Sequence, residues 1–134
     1  MTQTMHHSAG RLDSFRHAFA GWWHVLRTQR NAWIHTFFSV SVVGAGLWLR
    51  LSCLEWAVIV LAISAVWVSE CVNTALEAMV DLVSPDVHPL ARVGKDVAAA
   101  AVLIGALASV IIGLLILGPP LWARVWSIIA PLIG

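Results

Sequence analysis

Charged residues are scarce in this sequence. Only 11% of its 134 residues are Asp, Glu, Lys or Arg, while 60% are hydrophobic, and the mean hydropathy is +0.85. A water-soluble domain of this size needs a more polar surface, because roughly a quarter of the residues of an average soluble protein are charged. The composition therefore excludes an ordinary soluble domain and predicts an integral membrane protein.

Clustered basic residues and cysteines are also scarce. The formal net charge is +1 and the basic residues are scattered, so no basic face is expected that could neutralise the phosphates of a nucleic acid. Only two cysteines occur, Cys53 and Cys71, and a disulfide framework is not expected from them. These features argue against nucleic acid as a partner and against a fold that depends on disulfide bonds.

What the sequence does contain is three long apolar runs. Residues 31–49 carry no formal charge, and a helix of about 20 residues crosses a hydrocarbon core of roughly 30 Å. A second run continues with helical periodicity and meets no Pro or Gly before Pro85. The third run ends at Gly118-Pro119-Pro120, a segment that we expect to stop a helix. The fold class predicted is an all-α membrane protein with transmembrane helices at residues 31–50, 54–84 and 92–117.

The segments that flank these runs predict the orientation of the chain. Residues 10–30 combine four arginines with aromatic and leucine side chains at roughly helical spacing, which favours an amphipathic surface helix. Arg92 and Lys95 add positive charge to the second loop, so the positive-inside rule predicts a cytoplasmic amino terminus and an external carboxyl terminus. Residues 119–134 are too short to span and rich in Trp, and we expect them to lie at the outer interface of a single domain.

Acidic residues are concentrated where they are least expected. Five of the seven fall between positions 70 and 96, in a region that borders or enters the membrane. Four polar residues share one stripe of the second predicted span: Glu70, Asn73, Glu77 and Asp81. A carboxylate in mid-membrane costs at least about 2.5 kcal/mol on insertion scales, so such a residue is by default a functional hypothesis. A divalent metal brought in with a nucleotide would relieve the repulsion within this stripe.

A simpler interpretation exists for the outer part of this acidic region. Asp81 and Asp86 could form a solvated helix end that is paired with Arg92 and Lys95. The deeper Glu70 and Glu77 are less easily explained in that way. Small residues at helical spacing in the third predicted span indicate close helix packing rather than a site.

The motifs of this region resemble those of a known family. Residues 70–81 have the pattern E-x-x-N-T-A-x-E-x-x-x-D, and they are followed by His88-Pro-Leu-Ala and by Lys95-Asp96 before a run of alanines. This signature closely resembles that of the prokaryotic diacylglycerol kinase family, which includes undecaprenol kinases, and the similarity covers roughly residues 14–117. The resemblance implies a homotrimer with shared active sites in the bacterial inner membrane. It also implies transfer of the γ-phosphoryl group of ATP, with Mg²⁺ as cofactor, to the primary hydroxyl of a lipid alcohol on the cytoplasmic side.

The resemblance also assigns roles to individual positions. Glu70 resembles the general base, and Glu77 resembles a magnesium ligand. The residues that resemble the ATP and phosphate neighbourhood are His17, Gln29, Asn73, Glu77, Asp81, Asp86, His88, Lys95 and Asp96. These roles agree with the requirements of phosphoryl transfer, which asks a protein mainly for positioning and charge neutralisation.

Two positions depart from the family pattern. Many members have a glutamate before Arg-Asn that helps to bind the metal, whereas Gln29 stands there in this chain. Trp33 stands where a basic residue is often found. An amide oxygen is a weaker ligand than a carboxylate for a hard cation, so Glu77 is the firmer metal-ligand prediction of the two. The chain contains no G-x-x-x-x-G-K-[ST] loop, which excludes a P-loop enzyme.

Three alternatives remain open at this point. Intramembrane acids could line the ion path of a small transporter or channel subunit, although residues 103–117 supply almost no polar groups for such a path. Within the kinases, Arg30-Asn31 with Ile34-His35 and the His88 motif favour undecaprenol as the acceptor over diacylglycerol. A regulatory homologue without turnover is the third alternative, because of Gln29.

Overall fold

The computed structural model describes residues 10–84 and 88–133. These residues form α1 (Arg11–Thr28), α2 (Arg30–Leu49), α3 (Cys53–Val83) and α4 (Pro89–Ile133). By length and composition, α2, α3 and α4 could each cross a membrane. The all-helical fold with three apolar spans is therefore confirmed, and the predicted bounds of the first three helices lie within one or two residues of the observed ones.

A tight turn brings α3 back alongside α2. Arg50 adopts a left-handed conformation with φ 57°, and the Leu51 amide donates to the Gly46 carbonyl at 3.2 Å, which satisfies the end of α2. Ser52 then caps α3 through a reciprocal capping box with Glu55. A Cβ at Gly46 would lie 3.0 Å from both the Leu51 side chain and the Trp56 ring, so any larger residue here would have to displace these side chains.

The principal packing in the chain is between α3 and α4. Ala62 and Val66 of α3 are buried, as are Ala98 and Val102 of α4. The Ser109 hydroxyl donates to the Ala62 carbonyl at 3.0 Å, a bond between the two helices. The small side chains of Ala62 and Ala98 let the two backbones approach here, which agrees with the packing role predicted for small residues of the third span in the case of Ala98.

The end of the third span was predicted wrongly. The sequence suggested that Pro119 and Pro120 stop the helix, whereas α4 continues through both of them to Ile133. Each proline removes one backbone hydrogen-bond donor. Membrane helices tolerate this loss, because ending the helix in lipid would leave more backbone N–H and C=O groups without hydrogen bonds. A helix of 45 residues is more than twice as long as a hydrocarbon core of roughly 30 Å requires. The interfacial position of residues 119–134 stays a prediction.

The outer surfaces of the helices are largely apolar. Large side chains such as Phe37, Leu61 and Leu114 are more than half exposed in the single chain. A soluble monomer rarely exposes so much contiguous apolar surface, so these faces are suited to lipid or to another protein surface. The helix α1 is tied to α3 by an edge-to-face contact between Trp22 and Trp67, whose ring centroids are 5.6 Å apart. Its predicted amphipathic placement at the membrane surface stays a prediction.

Candidate active site

Polar side chains are buried in the middle of α3. Glu70 is 1% exposed, and Asn73 and Thr74 are each 7% exposed. The Thr74 hydroxyl donates to the Glu70 carbonyl one turn earlier, at 2.9 Å, so Thr74 is satisfied within the helix. Glu70 Oε2 and Asn73 Oδ1, in contrast, are buried and have no hydrogen-bond partner among the described residues. The stripe predicted from the sequence is therefore buried at Glu70 and Asn73 and becomes exposed at Asp81.

Two amides hold the carboxylate of Glu77. The Gln29 Nε2 donates to Oε2 at 3.1 Å, and the Asn73 Nδ2 donates to Oε1 at 3.0 Å. Gln29 is the residue between α1 and α2, and its extended backbone (φ −96°, ψ 120°) breaks the helix at that point. Gln29 is therefore partly buried against α3 and does not simply face solvent.

The donor atoms around Glu77 can be tested against magnesium. Among residues 10–84 and 88–133, no three His, Cys, Asp or Glu side chains form a group that could hold a metal by themselves. Mg²⁺, however, usually takes only one or two carboxylates and completes its octahedron with phosphates and water. Glu77 supplies one carboxylate, and the buried Oδ1 of Asn73 has no hydrogen-bond partner. The Gln29 amide would have to rotate to present its oxygen. This donor set fits a cation carried in by a nucleotide, not a closed protein cage.

Glu70 faces an imidazole from α2. The Nε2 of His35 lies 3.7 Å from the Oε2 of Glu70, and the two side chains are 13% and 1% exposed. Neither of these two atoms has a hydrogen-bond partner in the described part of the chain. The sequence analysis missed His35 as a site residue because residues 31–49 were counted as free of formal charge. The available signal was that a histidine within an apolar span is itself a functional hypothesis.

A cavity of about 290 Å³ lies beside Glu77 and His35. Its polar wall consists of Gln29, Asn31, His35, Asn73 and Glu77. Its apolar wall consists of Ile34 from α2 and of Ala99, Val102, Leu103 and Ala106 from α4. One side can therefore bind charged or hydroxyl groups while the other accommodates hydrocarbon, which is the character required of a site for an amphipathic ligand.

Lys95 lies beside the outer end of the acidic stripe. Its ammonium group forms an ion pair with Asp81, across the α3–α4 packing, and both side chains are partly exposed. Arg92 contacts Asp96 instead, one turn along α4, at 3.9 Å and in solvent. The Lys95–Asp81 pair agrees both with a solvated helix end and with a phosphate neighbourhood in which the lysine changes partner.

The remaining predicted site residues are less closely associated. The Nδ1 of His88 accepts a hydrogen bond from the Leu90 amide at 3.2 Å, at the start of α4. His17 is exposed on α1 and forms no hydrogen bond or ion pair with any described residue. Asp86 lies outside the described residues. Trp33 is 67% exposed on α2.

Taken together, these contacts define a class of protein. It is a multi-pass membrane protein in which a buried glutamate faces a histidine, and a second glutamate two helical turns further on is held by amides. The cavity lined by the histidine and the second glutamate has one polar and one apolar wall.

Comparison with known proteins identifies the family. The family model described as prokaryotic diacylglycerol kinase matches residues 16–117. The chain belongs to this family, as the motifs of residues 70–96 suggested, and the named relatives are lipid kinases. Family membership favours the enzyme over the transporter or channel subunit.

Individual relatives carry two different names. A diacylglycerol kinase from Synechocystis sp. is 48% identical over 111 residues, which is 82% of this chain and 63% of the relative. An undecaprenol kinase from Bacillus subtilis is 44% identical over 108 residues, which is 81% of this chain and 88% of the relative. A diacylglycerol kinase from Helicobacter pylori is 40% identical over 58 residues, 43% of this chain and 45% of the relative. The chain thus spans slightly less than two thirds of the Synechocystis relative.

Proposed function

We propose that this chain transfers the γ-phosphoryl group of ATP to the primary hydroxyl of a membrane lipid alcohol. The observation that carries this proposal is the pair of glutamates on one face of α3. Glu70 faces His35, Glu77 is held by Gln29 and Asn73, and a two-sided cavity is lined by Glu77 and by His35, the neighbour of Glu70. The seven-residue separation places their backbones about 10 Å apart along the helix axis, so each carboxylate can serve a different end of one reaction.

The two glutamates have separate tasks in the proposed reaction. The lipid hydroxyl oxygen attacks the γ-phosphorus, the bond to the bridging oxygen of ADP breaks, and Glu70 accepts the hydroxyl proton. Glu77 and the amide oxygens of Gln29 and Asn73 would hold Mg²⁺, which neutralises charge on the phosphates when it is bound. Burial of Glu70 favours the role of base. A carboxylate shielded from water has few hydrogen-bond donors around it, so accepting the proton of the lipid hydroxyl is favourable.

Lys95 is proposed to bind the phosphates of ATP. It is paired with Asp81 at the exposed end of the stripe, about one turn beyond Glu77. A lysine ammonium is a mobile point charge on a flexible stem, so it can leave Asp81 for a phosphate oxygen. Asp96, His88, Asp86 and His17 belong to the same proposed neighbourhood on the strength of the family resemblance alone. ATP is cytoplasmic, and we accordingly propose a cytoplasmic amino terminus and site in the bacterial inner membrane.

A homotrimer is proposed as the working assembly. The cavity of one copy, about 290 Å³, is at the lower limit of the roughly 300–1,000 Å³ usual for a small-molecule pocket, and ATP and a lipid must bind together. The exposed apolar faces of α2, α3 and α4 could supply the contact between copies as well as the contact with lipid.

Undecaprenol is the favoured acceptor, with diacylglycerol as the other candidate. The motif residues Asn31, Ile34 and His35, which led to this preference, all line the cavity. A parallel assay of purified protein with γ-labelled ATP and each lipid in the same mixed micelles tests both parts of the proposal. We expect phosphorylation of both lipids with a higher kcat/KM for undecaprenol. A higher kcat/KM for diacylglycerol would reverse the acceptor, and labelling of neither lipid would contradict the kinase function.

A further inference from the structure

We propose that His35 is a positioning residue for Glu70, whose Oε2 is held by Nε2–H of the imidazole so that Oε1 faces the lipid hydroxyl. The inference rests on the proposed function, because it assigns to His35 the task of orienting the proposed base. It adds to that function a residue that sequence reasoning did not include in the site.

The contact between the two side chains is incomplete in the structure. The separation of 3.7 Å is longer than the roughly 2.7–3.2 Å of an N–H···O hydrogen bond. Both atoms are buried and have no other partner in the described residues. Buried polar atoms without hydrogen-bond partners are unfavourable. Moving Nε2 of His35 and Oε2 of Glu70 closer by less than about 1 Å would bring them to hydrogen-bond distance. Catalytic hydrogen bonds are commonly long before substrate binds and shorten in the complex.

The imidazole is itself supported by neighbouring side chains. The His35 ring packs edge-to-face against Trp67, with centroids 6.4 Å apart and the planes at 70°. The Trp67 indole donates to the Ser39 hydroxyl at 3.3 Å, which ties α3 to α2 one turn after His35. Trp22 of α1 also packs edge-to-face against the Trp67 indole. This packing restricts the ring, so that His35 can hold a carboxylate in a defined orientation.

Orientation of the base has a distinct kinetic consequence. A glutamate side chain has three rotatable bonds, and a general base works only when an oxygen lies within hydrogen-bond reach of the proton that it accepts. Losing the His35 contact would reduce the fraction of Glu70 in the reactive orientation. Binding of ATP at Glu77 does not depend on that orientation. The effect should therefore fall on kcat and leave the KM for ATP unchanged.

Two substitutions at position 35 separate this role from a packing role. His35→Phe keeps an aromatic ring but removes the donor, and we expect kcat to fall about 10- to 100-fold with the KM for ATP unchanged. His35→Gln keeps an N–H donor at about the same reach and should retain more than about a third of the wild-type kcat. Thr36→Ala is the matched control, because the Thr36 hydroxyl donates to the Ala32 carbonyl within α2 and to no other described residue. The kcat of this variant should equal that of the wild type.

A double substitution checks that His35 acts through Glu70. If it does, His35→Phe should add little to the loss caused by Glu70→Gln, because effects that pass through one group are not additive. Thermal unfolding and oligomeric state of every variant are measured in the same detergent.

The inference is overturned if His35→Phe has the kcat of the active wild-type protein, or if His35→Gln loses as much kcat as His35→Phe. It is also overturned if the KM for ATP rises as much as kcat falls. A wild-type protein that phosphorylates neither lipid would instead contradict the proposed function, and with it this inference.

Discussion

Gln29→Glu is the substitution whose effect on stability should depend most strongly on magnesium. The Gln29 amide donates to Glu77 at 3.1 Å. A glutamate at position 29 would lose this hydrogen bond to a charged group, which is worth about 1.5–3 kcal/mol. It would also place two carboxylates together. At this distance of 3.1 Å and an effective dielectric constant of about 20, their repulsion is about 5 kcal/mol at most. Protonation of one carboxylate would limit the penalty.

A divalent cation opposes this effect. Two carboxylates are better ligands for a hard cation than one carboxylate and an amide. Binding to the folded state alone stabilises a protein by about 2.7 kcal/mol when the ligand is at 100 times its Kd. We therefore expect Gln29→Glu to have a lower Tm than the wild type in EDTA and a larger rise in Tm on adding Mg²⁺. It should also need less Mg²⁺ for half-maximal activity at saturating ATP.

Gln29→Ala is the matched comparison for this experiment. It loses the same hydrogen bond to Glu77 but introduces no charge, and it removes the amide oxygen that could reach the cation. Its Tm in EDTA should fall by less than that of Gln29→Glu, and its half-maximal Mg²⁺ concentration should rise above the wild-type value. If the magnesium curves of all three proteins coincide, position 29 is not a neighbour of the cation and the reasoning is refuted.

Other substitutions test the remaining parts of the site and fold. Glu70→Gln should lower kcat by roughly 10²-fold or more while the oligomer stays intact, and retention of over about a tenth of the activity would remove Glu70 from the role of base. Lys95→Gln should raise the KM for ATP more than it lowers kcat, whereas an unchanged KM would leave Lys95 as a structural partner of Asp81. Gly46→Ala should destabilise the α2–α3 turn by about 1–3 kcal/mol, because its Cβ would meet Trp56 at 3.0 Å. Gly44→Ala, which meets nothing within 4 Å, should not lower the Tm, because alanine favours a helix more than glycine does. Native mass spectrometry of active protein should detect a trimer, and a monomer alone would contradict the proposed assembly.

Local sequence was sufficient for most of the helical boundaries. The length of an apolar run fixes whether a helix can cross a bilayer, and the Ser52–Glu55 capping box and the left-handed Arg50 act within a few residues. Pro119 and Pro120 were misjudged because the rule that proline ends a helix derives largely from water, where a freed carbonyl can be solvated. The sequence states which side chain is present there but not which solvent surrounds it.

The sequence by itself determined that the chain is a membrane protein, that its acids share a face of one helix, and that its motifs are those of a lipid kinase family. These properties depend on composition and on spacing within a single helix. The tertiary structure alone decided which residues face those acids. Gln29 reaches Glu77 across 48 positions of the chain, and His35 reaches Glu70 from another helix. Such contacts depend on how α1 and α2 pack against α3, and helical periodicity carries no information about the rotation of one helix relative to its neighbour.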